Sequence, residues 1–388
     1  MIERYSVPAI ENIWSRENRY RIYLLIEEKV NDALQEHFII EHNRMHPTGL
    51  PVGMVMELAD KIEVETRHDI LAFVFAVEKL CEKECGTDCK WIHYGLTSSD
   101  LLDSATAIQV RDSLLFLHLE VMKLIAVIED RANWEKDQQI MARTHGKHAM
   151  KVSLSEIFAS WARQINNHLG DLVRICVPGK LSGAVGDNRV IPYPIQKKIA
   201  DRLGMQLDYH ATQVVQREFY AELIWRLAIY TKTLEKFALQ IRLWQQSGIE
   251  EIEEPFYEGQ GGSSAMPHKH NPIMCENITG LSRVISSYVP MALDNVPLWG
   301  HRDLTHSSTE RIMLPDVFNL VAFVTDRMNK VIHGLKVNHS LIDSHLIESD
   351  SQEEMLHMIK DKGFSRYDAY RATQEQHNED SSFRATVR

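Results

Sequence analysis

Long stretches without glycine or proline constrain this chain more than any other feature. Neither residue occurs from Met54 to Cys85, Leu96 to His145, Lys147 to Leu169 or Met205 to Ser247. Short strands joined by tight turns need that punctuation, so intervals of this length favour helices. Between Ile108 and Ile128, the residues Leu114, Leu115, Leu119, Met122, Ile125 and Ile128 fall near three- and four-residue steps, the helical period. Leu117, Val121 and Leu124 widen the apolar surface, as expected of a helix with neighbours on more than one side. Phe219 to Trp244 repeats the pattern through Leu223, Leu227, Tyr230, Leu234, Phe237, Ile241 and Trp244. A helix of that span would be roughly 35 to 40 Å long. The chain is therefore expected to be all-α, built around a long-helix bundle shared between subunits.

The breaks fall at Met45 to Gly53, Val177 to Pro194, Gly248 to Pro272 and Pro290 to Gly300. Loops carry chemistry more often than helix interiors do, so these segments hold the candidate functional residues. The formal charge of -11 argues against binding nucleic acid through the bulk surface, and an anionic ligand must find a local basic pocket. The opening residues mix charge among apolar positions and no apolar run approaches a membrane span, so the chain is read as cytoplasmic, with no membrane partner. Five cysteines fit reduced thiols. Cys81, Cys85 and Cys89 read as a helix end and turn, because no fourth ligand follows at finger-like spacing. In His268-Lys269-His270 the lysine would repel a cation. Neither metal nor cofactor is expected.

The most specific segment is Gly262-Ser263-Ser264-Ala265-Met266-Pro267-His268-Lys269-His270-Asn271-Pro272. It matches the signature of the fumarase/aspartase superfamily. Further segments resemble the adenylosuccinate lyase family within it: Ile2-Glu3-Arg4-Tyr5, Glu65-Thr66-Arg67-His68-Asp69, Trp91 to Asp100, Arg143-Thr144-His145-Gly146, Gln213 to Arg217, and Trp299 to Ser308. The resemblance runs from residue 2 to about residue 335.

The resemblance implies a three-domain all-α fold, divided here at 1–92, 93–335 and 336–388. It also implies a homotetramer whose active sites draw the segments around His68, His145 and Ser263 from different subunits. The implied reaction is elimination of fumarate from a succinylated purine nucleotide or its precursor. His145 would be the general acid, Ser263 the general base and Glu276 the carboxylate that orients His145. His68 and His93 would help hold the substrate, with Arg67 and Asp69 in the same binding motif. Arg4, Tyr5, Arg302, Ser307 and Arg311 would surround the phosphate. Thr97, Ser98, Lys269 and Asn271 would hold the succinyl carboxylates, and Gln213 the base or carboxamide.

These residue types suit that chemistry. Removing a proton beside a carboxylate builds an enediolate-like anion, which fixed cations and amide donors such as Lys269 and Asn271 can stabilise. The departing nitrogen needs a proton, which a histidine supplies near neutral pH. A serine base needs activation by its surroundings. The chain departs from the family pattern at Lys147, His148 and Lys151 after the Thr-His-Gly motif, at Gly261 and His270 in the signature loop, and in its shorter carboxyl-terminal region. Two other readings remain open at this stage: a related lyase acting on another N-succinyl compound, and a non-catalytic helical paralogue.

Overall fold

The computed structural model describes residues 2–43, 46–85, 89–347 and 351–386, without the side chains of 84–85 and 377–386. Its elements in order are α1 (Pro8–Trp14), α2 (Arg16–Glu36), α3 (Val52–Thr66), α4 (Asp69–Leu80), α5 (Ser98–Trp134), β1 (Gln139–Thr144), β2 (Lys147–Ser153), α6 (Leu154–Arg174), α7 (Tyr193–Leu203), α8 (Glu218–Trp244), β3 (Ile252–Glu253), α9 (Ile273–Asp294), α10 (Thr305–Gly334), β4 (Lys336–Val337), α11 (His339–His345), α12 (Ser351–Lys362) and α13 (Arg366–Thr386). The expected all-α architecture is present, with two small antiparallel sheets, β1-β2 and β3-β4. No described helix is long and apolar enough to cross a membrane.

Five helices form the central bundle, and named contacts fix their directions. Tyr230 on α8 meets Thr325 on α10 at 2.9 Å. Near the starts of both helices, Arg217 reaches Glu310. Arg131 on α5 donates to the carbonyls of Ile332 and His333 on α10 at 3.2 and 2.9 Å. Helices α5, α8 and α10 therefore run parallel. α6 runs the other way, because Phe158, Trp161 and His168 meet Trp244, Phe237 and Tyr230 in reverse order. α9 is also reversed, with Tyr288 bonded to Asp316 and Asn295 bonded to Thr309. Trp161 and Phe237 stack at 4.4 Å in a core that includes Leu124, Leu227, Leu234 and Val321. Each fully buried aliphatic or aromatic side chain of this kind contributes about 1.5–3 kcal/mol.

A second apolar core lies beyond the bundle. It joins α2, α3, α4 and α7 to the first turns of α5 through Ile26, Phe73, Ile199, Leu101 and Ala105. Between these cores, the ammonium of Lys180 bonds the carboxylate of Asp100, and both side chains are fully buried. Lys180 also donates to the Gly183 carbonyl at 3.1 Å. This pair seats the start of α5 against the Val177–Pro194 segment.

Three expectations need correction. The glycine-free intervals around residue 146 are not helical throughout, because β1 and β2 form a hairpin between α5 and α6. His145 and Gly146, with φ of 55° and 73°, supply the two left-handed residues that a tight hairpin turn requires. The interval from Met54 to Cys85 is split where Arg67 turns left-handed, φ 51°, and ends α3 without a glycine. α9 runs through Pro290 to Asp294; the proline is exposed, and the break begins later than Pro290. The polar carboxyl-terminal stretch continues α13 as far as Thr386. α13 folds back on α12, with Ala369 buried and Thr373 against Met358. Residues 348–350, 387 and 388 lie outside the described residues, so α12 is described from Ser351.

Removing one partner of a buried ion pair leaves the other charge uncompensated. Lys180→Met should therefore destabilise the chain by about 3–5 kcal/mol in chemical denaturation. Adding Asp100→Asn should recover part of the loss; a Lys180→Met protein as stable as the wild type would show that the pair does not seat α5.

Candidate active site

The starts of α4, α5 and α10 converge on a cleft of about 700 Å³. Its walls include Arg67, His68, Asp69, Ser98, Arg302, Ser307 and Arg311. Arg302 donates to the Gln213 side chain at 3.0 Å, which brings the Gln213–Arg217 loop to the same place. Arg311 reaches across to Asp69 at 2.6 Å and ties α10 to α4. His68 caps α4: its Nδ1 accepts the Leu71 amide at 3.2 Å, which assigns the ring proton to Nε2 and leaves that nitrogen free to donate. Helix amino termini carry unpaired amides and partial positive charge. Three of them meet Arg67, Arg302 and Arg311 here and can receive an anion, beside the carboxylates of Glu63, Asp69 and Asp303 that line the same cleft, of which Asp69 is paired to Arg311 and Asp303 accepts the Thr305 amide.

Beneath this cleft lies a buried charge cluster to which the sequence assigned no role. Arg217 donates to Asp103 at 2.9 Å and to the Val215 carbonyl at 2.6 Å. Its Nη2 meets Glu310 at 3.3 Å, while its Nε lies 3.1 Å from the other Glu310 oxygen without hydrogen-bond alignment. One guanidinium thus joins α5, α10 and the loop carrying Gln213. Burial outweighs Arg217 and pushes the Glu310 carboxyl up to about 7. Burial, with Arg217 beside it, brings His306 down to about 4. His306 is therefore neutral at physiological pH, with its buried Nδ1 lacking a hydrogen-bond partner.

The remaining candidates lie elsewhere in the chain. His93 is turned to the buried Glu27 at 2.7 Å; burial opposes the imidazolium, but Glu27 outweighs it and raises the His93 pKa. Thr97 precedes α5 and donates its amide to Asp100 at 2.7 Å. His145 stands exposed at the tip of the β1-β2 hairpin, beyond the far end of α5. Ser263 lies in the signature loop, its hydroxyl accepting the Met266 amide at 3.3 Å. Lys269 and Glu276 are exposed, and Asn271 is half-buried. No hydrogen bond joins Glu276 to His145 within the chain. The loop is pinned to the end of α8, where Gln245 donates to the His270 carbonyl and Phe256 stacks on His270 at 3.8 Å. The buried Glu254 carboxylate accepts the amides of Met274 and Cys275, both at 2.9 Å, and so caps the start of α9. Tyr5 packs edge-on against Phe323 of α10 at 5.3 Å. Phe323 is twelve residues beyond Arg311, about 18 Å along the helix, so Arg4 and Tyr5 do not line the cleft.

The candidate site is thus in two halves at opposite ends of the bundle. The cleft lies where α5, α8 and α10 begin; the hairpin and signature loop lie where they end. α8 alone, 27 residues long, sets them about 40 Å apart. Asp103, Glu310 and Arg217 escaped the sequence reading because they are distant in sequence. Glu251 and Glu254 lie in the Gly248 to Pro272 break, where no motif singled them out. Among the described residues no group of His, Cys, Asp and Glu is arranged to hold a metal ion. Cys81 and Cys89 are buried, while the Cys85 side chain lies outside the described residues.

An acid whose pKa is raised in the folded state stabilises below its unfolded pKa and loses that contribution as pH rises through the folded value. Glu310 should therefore weaken the fold progressively between its ordinary pKa of 4.5 and about 7. Glu310→Gln should gain stability relative to the wild type over that interval, with a constant difference above it. Denaturation midpoints that shift in parallel across the interval would contradict the assignment.

Residues 28–286 match the model of a lyase family. An adenylosuccinate lyase of Staphylococcus saprophyticus is 37% identical over 380 residues, covering 95% of this chain and 86% of the relative. The fold is similar to that of a fumarate lyase from a Mesorhizobium species, with a TM-score of 0.81, 20% identity, and coverage of 98% of this chain and 89% of that one. It is also similar to a 3-carboxy-cis,cis-muconate lactonizing enzyme from Pseudomonas putida, with a TM-score of 0.79, 21% identity, and coverage of 96% and 85%. The chain belongs to the lyase family of the fumarase/aspartase superfamily and, within it, to the adenylosuccinate lyases.

Proposed function

We propose that this chain eliminates fumarate from adenylosuccinate, giving AMP, and from succinylated aminoimidazole carboxamide ribotide in purine nucleotide biosynthesis. The observation that chiefly supports this reading is the cleft where three helix starts meet Arg67, Arg302 and Arg311, beside His68 and Gln213. A nucleotide phosphate has the charge and the oxygen geometry that such a set binds. In the reaction, Ser263 takes the proton from the carbon beside a succinyl carboxylate, and Lys269 and Asn271 stabilise the resulting anion. The carbon–nitrogen bond then breaks, its electron pair stays on nitrogen, and His145 supplies the proton.

The separation of the two halves supports a site completed by other copies of the chain. A reversed copy would bring one hairpin and one signature loop to the cleft of its neighbour. The bundle offers surface for such packing: α8 exposes Trp225, Ile229, Leu239 and Leu243, and α9 exposes Val284 and Met291. Exposed apolar side chains on two adjacent helices suit an interaction face. We therefore propose a cytoplasmic homotetramer with shared sites, its chain divided into domains 1–92, 93–335 and 336–388, with Arg4 and Tyr5 joining the phosphate site and His93 and Thr97 the substrate site in the assembly.

Purified protein should release fumarate from adenylosuccinate. His145→Ala and Ser263→Ala should each lower kcat by about 10²–10⁴-fold, while Arg302→Ala should chiefly raise KM. Mixed tetramers of His68→Ala and His145→Ala chains should regain part of the activity. Absence of fumarate from folded tetramers would refute the elimination, and absence of complementation would refute shared sites.

A further inference from the structure

The hairpin that carries His145 projects from the bundle, and its outer strand β2 is largely exposed. Its base packs into the core through Ile140, with Val152 of β2 against the same cluster. An acid at the tip of such an arm is only as well aimed as the arm is held. We infer that Glu251 is the positioning residue of this arm, and that Lys336–His345 forms the outer wall of its mount. This inference rests on the reading of His145 as the proton donor.

The Glu251 side chain is fully buried between the arm and the carboxyl-terminal segment. Arg143, two residues before His145, grips it with both nitrogens of its fork, at 2.7 and 2.6 Å. On the other side, His345 Nδ1 lies 2.8 Å from the same carboxylate. Burial alone would raise the Glu251 pKa, but these two partners outweigh it and hold the carboxyl below its usual range. Its backbone is fixed as well: its amide donates to the Trp244 carbonyl at 3.0 Å, and its carbonyl accepts the Asn338 amide at 2.9 Å. The β3-β4 ladder, pairing Ile252 with Val337 and Glu253 with Lys336, continues that join. Gln138, at the root of the arm, is held from the same side by His339 at 2.8 Å and Asp343 at 3.0 Å.

The hairpin register shifts between Met141 and Arg143. Irregularities of this kind bend a strand and redirect what lies beyond it. The extra residue lies on β2, where Ala149 and Met150 stand opposite Ala142, so the bend comes just before Arg143 and the carboxylate that holds Arg143 sets the direction of His145 beyond it. A bidentate guanidinium–carboxylate pair specifies orientation as well as distance. Glu251 touches no reacting atom; it acts through Arg143.

The test uses the full chain with Glu251→Gln and His345→Gln, each matched to the wild type in helix content and oligomeric size. If the mount aims the acid, Glu251→Gln should lower kcat by about 10–100-fold, the scale of a misplacement near 1 Å, with KM for adenylosuccinate changed less than about twofold. His345→Gln keeps the Arg143 pair and should lower kcat less. Hydrogen exchange should quicken at the Met141–Val152 amides and stay unchanged in α8 and α9. Folded Glu251→Gln protein with wild-type kcat overturns the inference, as do equal changes in kcat and KM. Should Glu251→Gln fail to fold, His345→Gln decides, and its unchanged kcat and hairpin exchange overturn the proposal. An inactive wild type strikes the elimination reading instead; the exchange experiment still tests the mount, and unaltered exchange in Glu251→Gln refutes it.

Discussion

Arg217 stands at one end of the bundle and Arg131 at the other, and between them they hold α5, α8 and α10 parallel. Arg217 links Asp103, Glu310 and the Val215 carbonyl. Arg131 links the last carbonyls of α10 to Glu135. Three helices running together must begin at one end and finish at the other. The starts of α5 and α10, with that of α4, line the anion cleft. Their finishes leave the ends of α5 and α8 to carry the hairpin and the signature loop. A rigid bundle about 40 Å long then keeps these halves apart, whatever the loops do.

The same polarity explains how a chain with a formal charge of -11 can present an anion site. Excess acidic residues on the surface are solvated and screened within about 10 Å at ordinary salt. The cleft sets Arg67, Arg302 and Arg311 near helix starts, among the carboxylates of Glu63, Asp69 and Asp303 that also line it. Beneath them, burial holds the Glu310 carboxyl near half-ionisation at neutral pH and His306 neutral.

Helical periodicity made the bundle legible, because Leu223, Leu227, Leu234 and Ile241 recur at one period and are all buried. The signature loop was legible from residue identity alone. The hairpin was not, since an interval free of glycine on either side of Gly146 reads as helix until the pairing of Thr144 with Lys147 is seen. Nor was the end of α3, where Arg67 adopts a left-handed conformation that sequence reserves for glycine. Asp103 and Arg217 are more than a hundred residues apart. No local pattern announces such a pair.

Geometry also separates the family departures by consequence. At Gly262 an added Cβ would lie 2.4 Å from the Pro267 carbonyl oxygen, so the loop can close there only on glycine. At Gly261 nothing lies within 4 Å of that position. A larger residue would fit without strain, so glycine at 261 removes a side chain and leaves the loop path unchanged. His270 has a partner of its own, the Phe256 ring, and this stack fixes the loop's exit toward Asn271. Lys147 and Lys151 lie on the exposed strand of the arm, opposite Thr144 and Met141. The departures therefore change the charge carried by the moving or projecting parts, while Arg143, Glu251 and the closing glycine keep the geometry that those parts depend on.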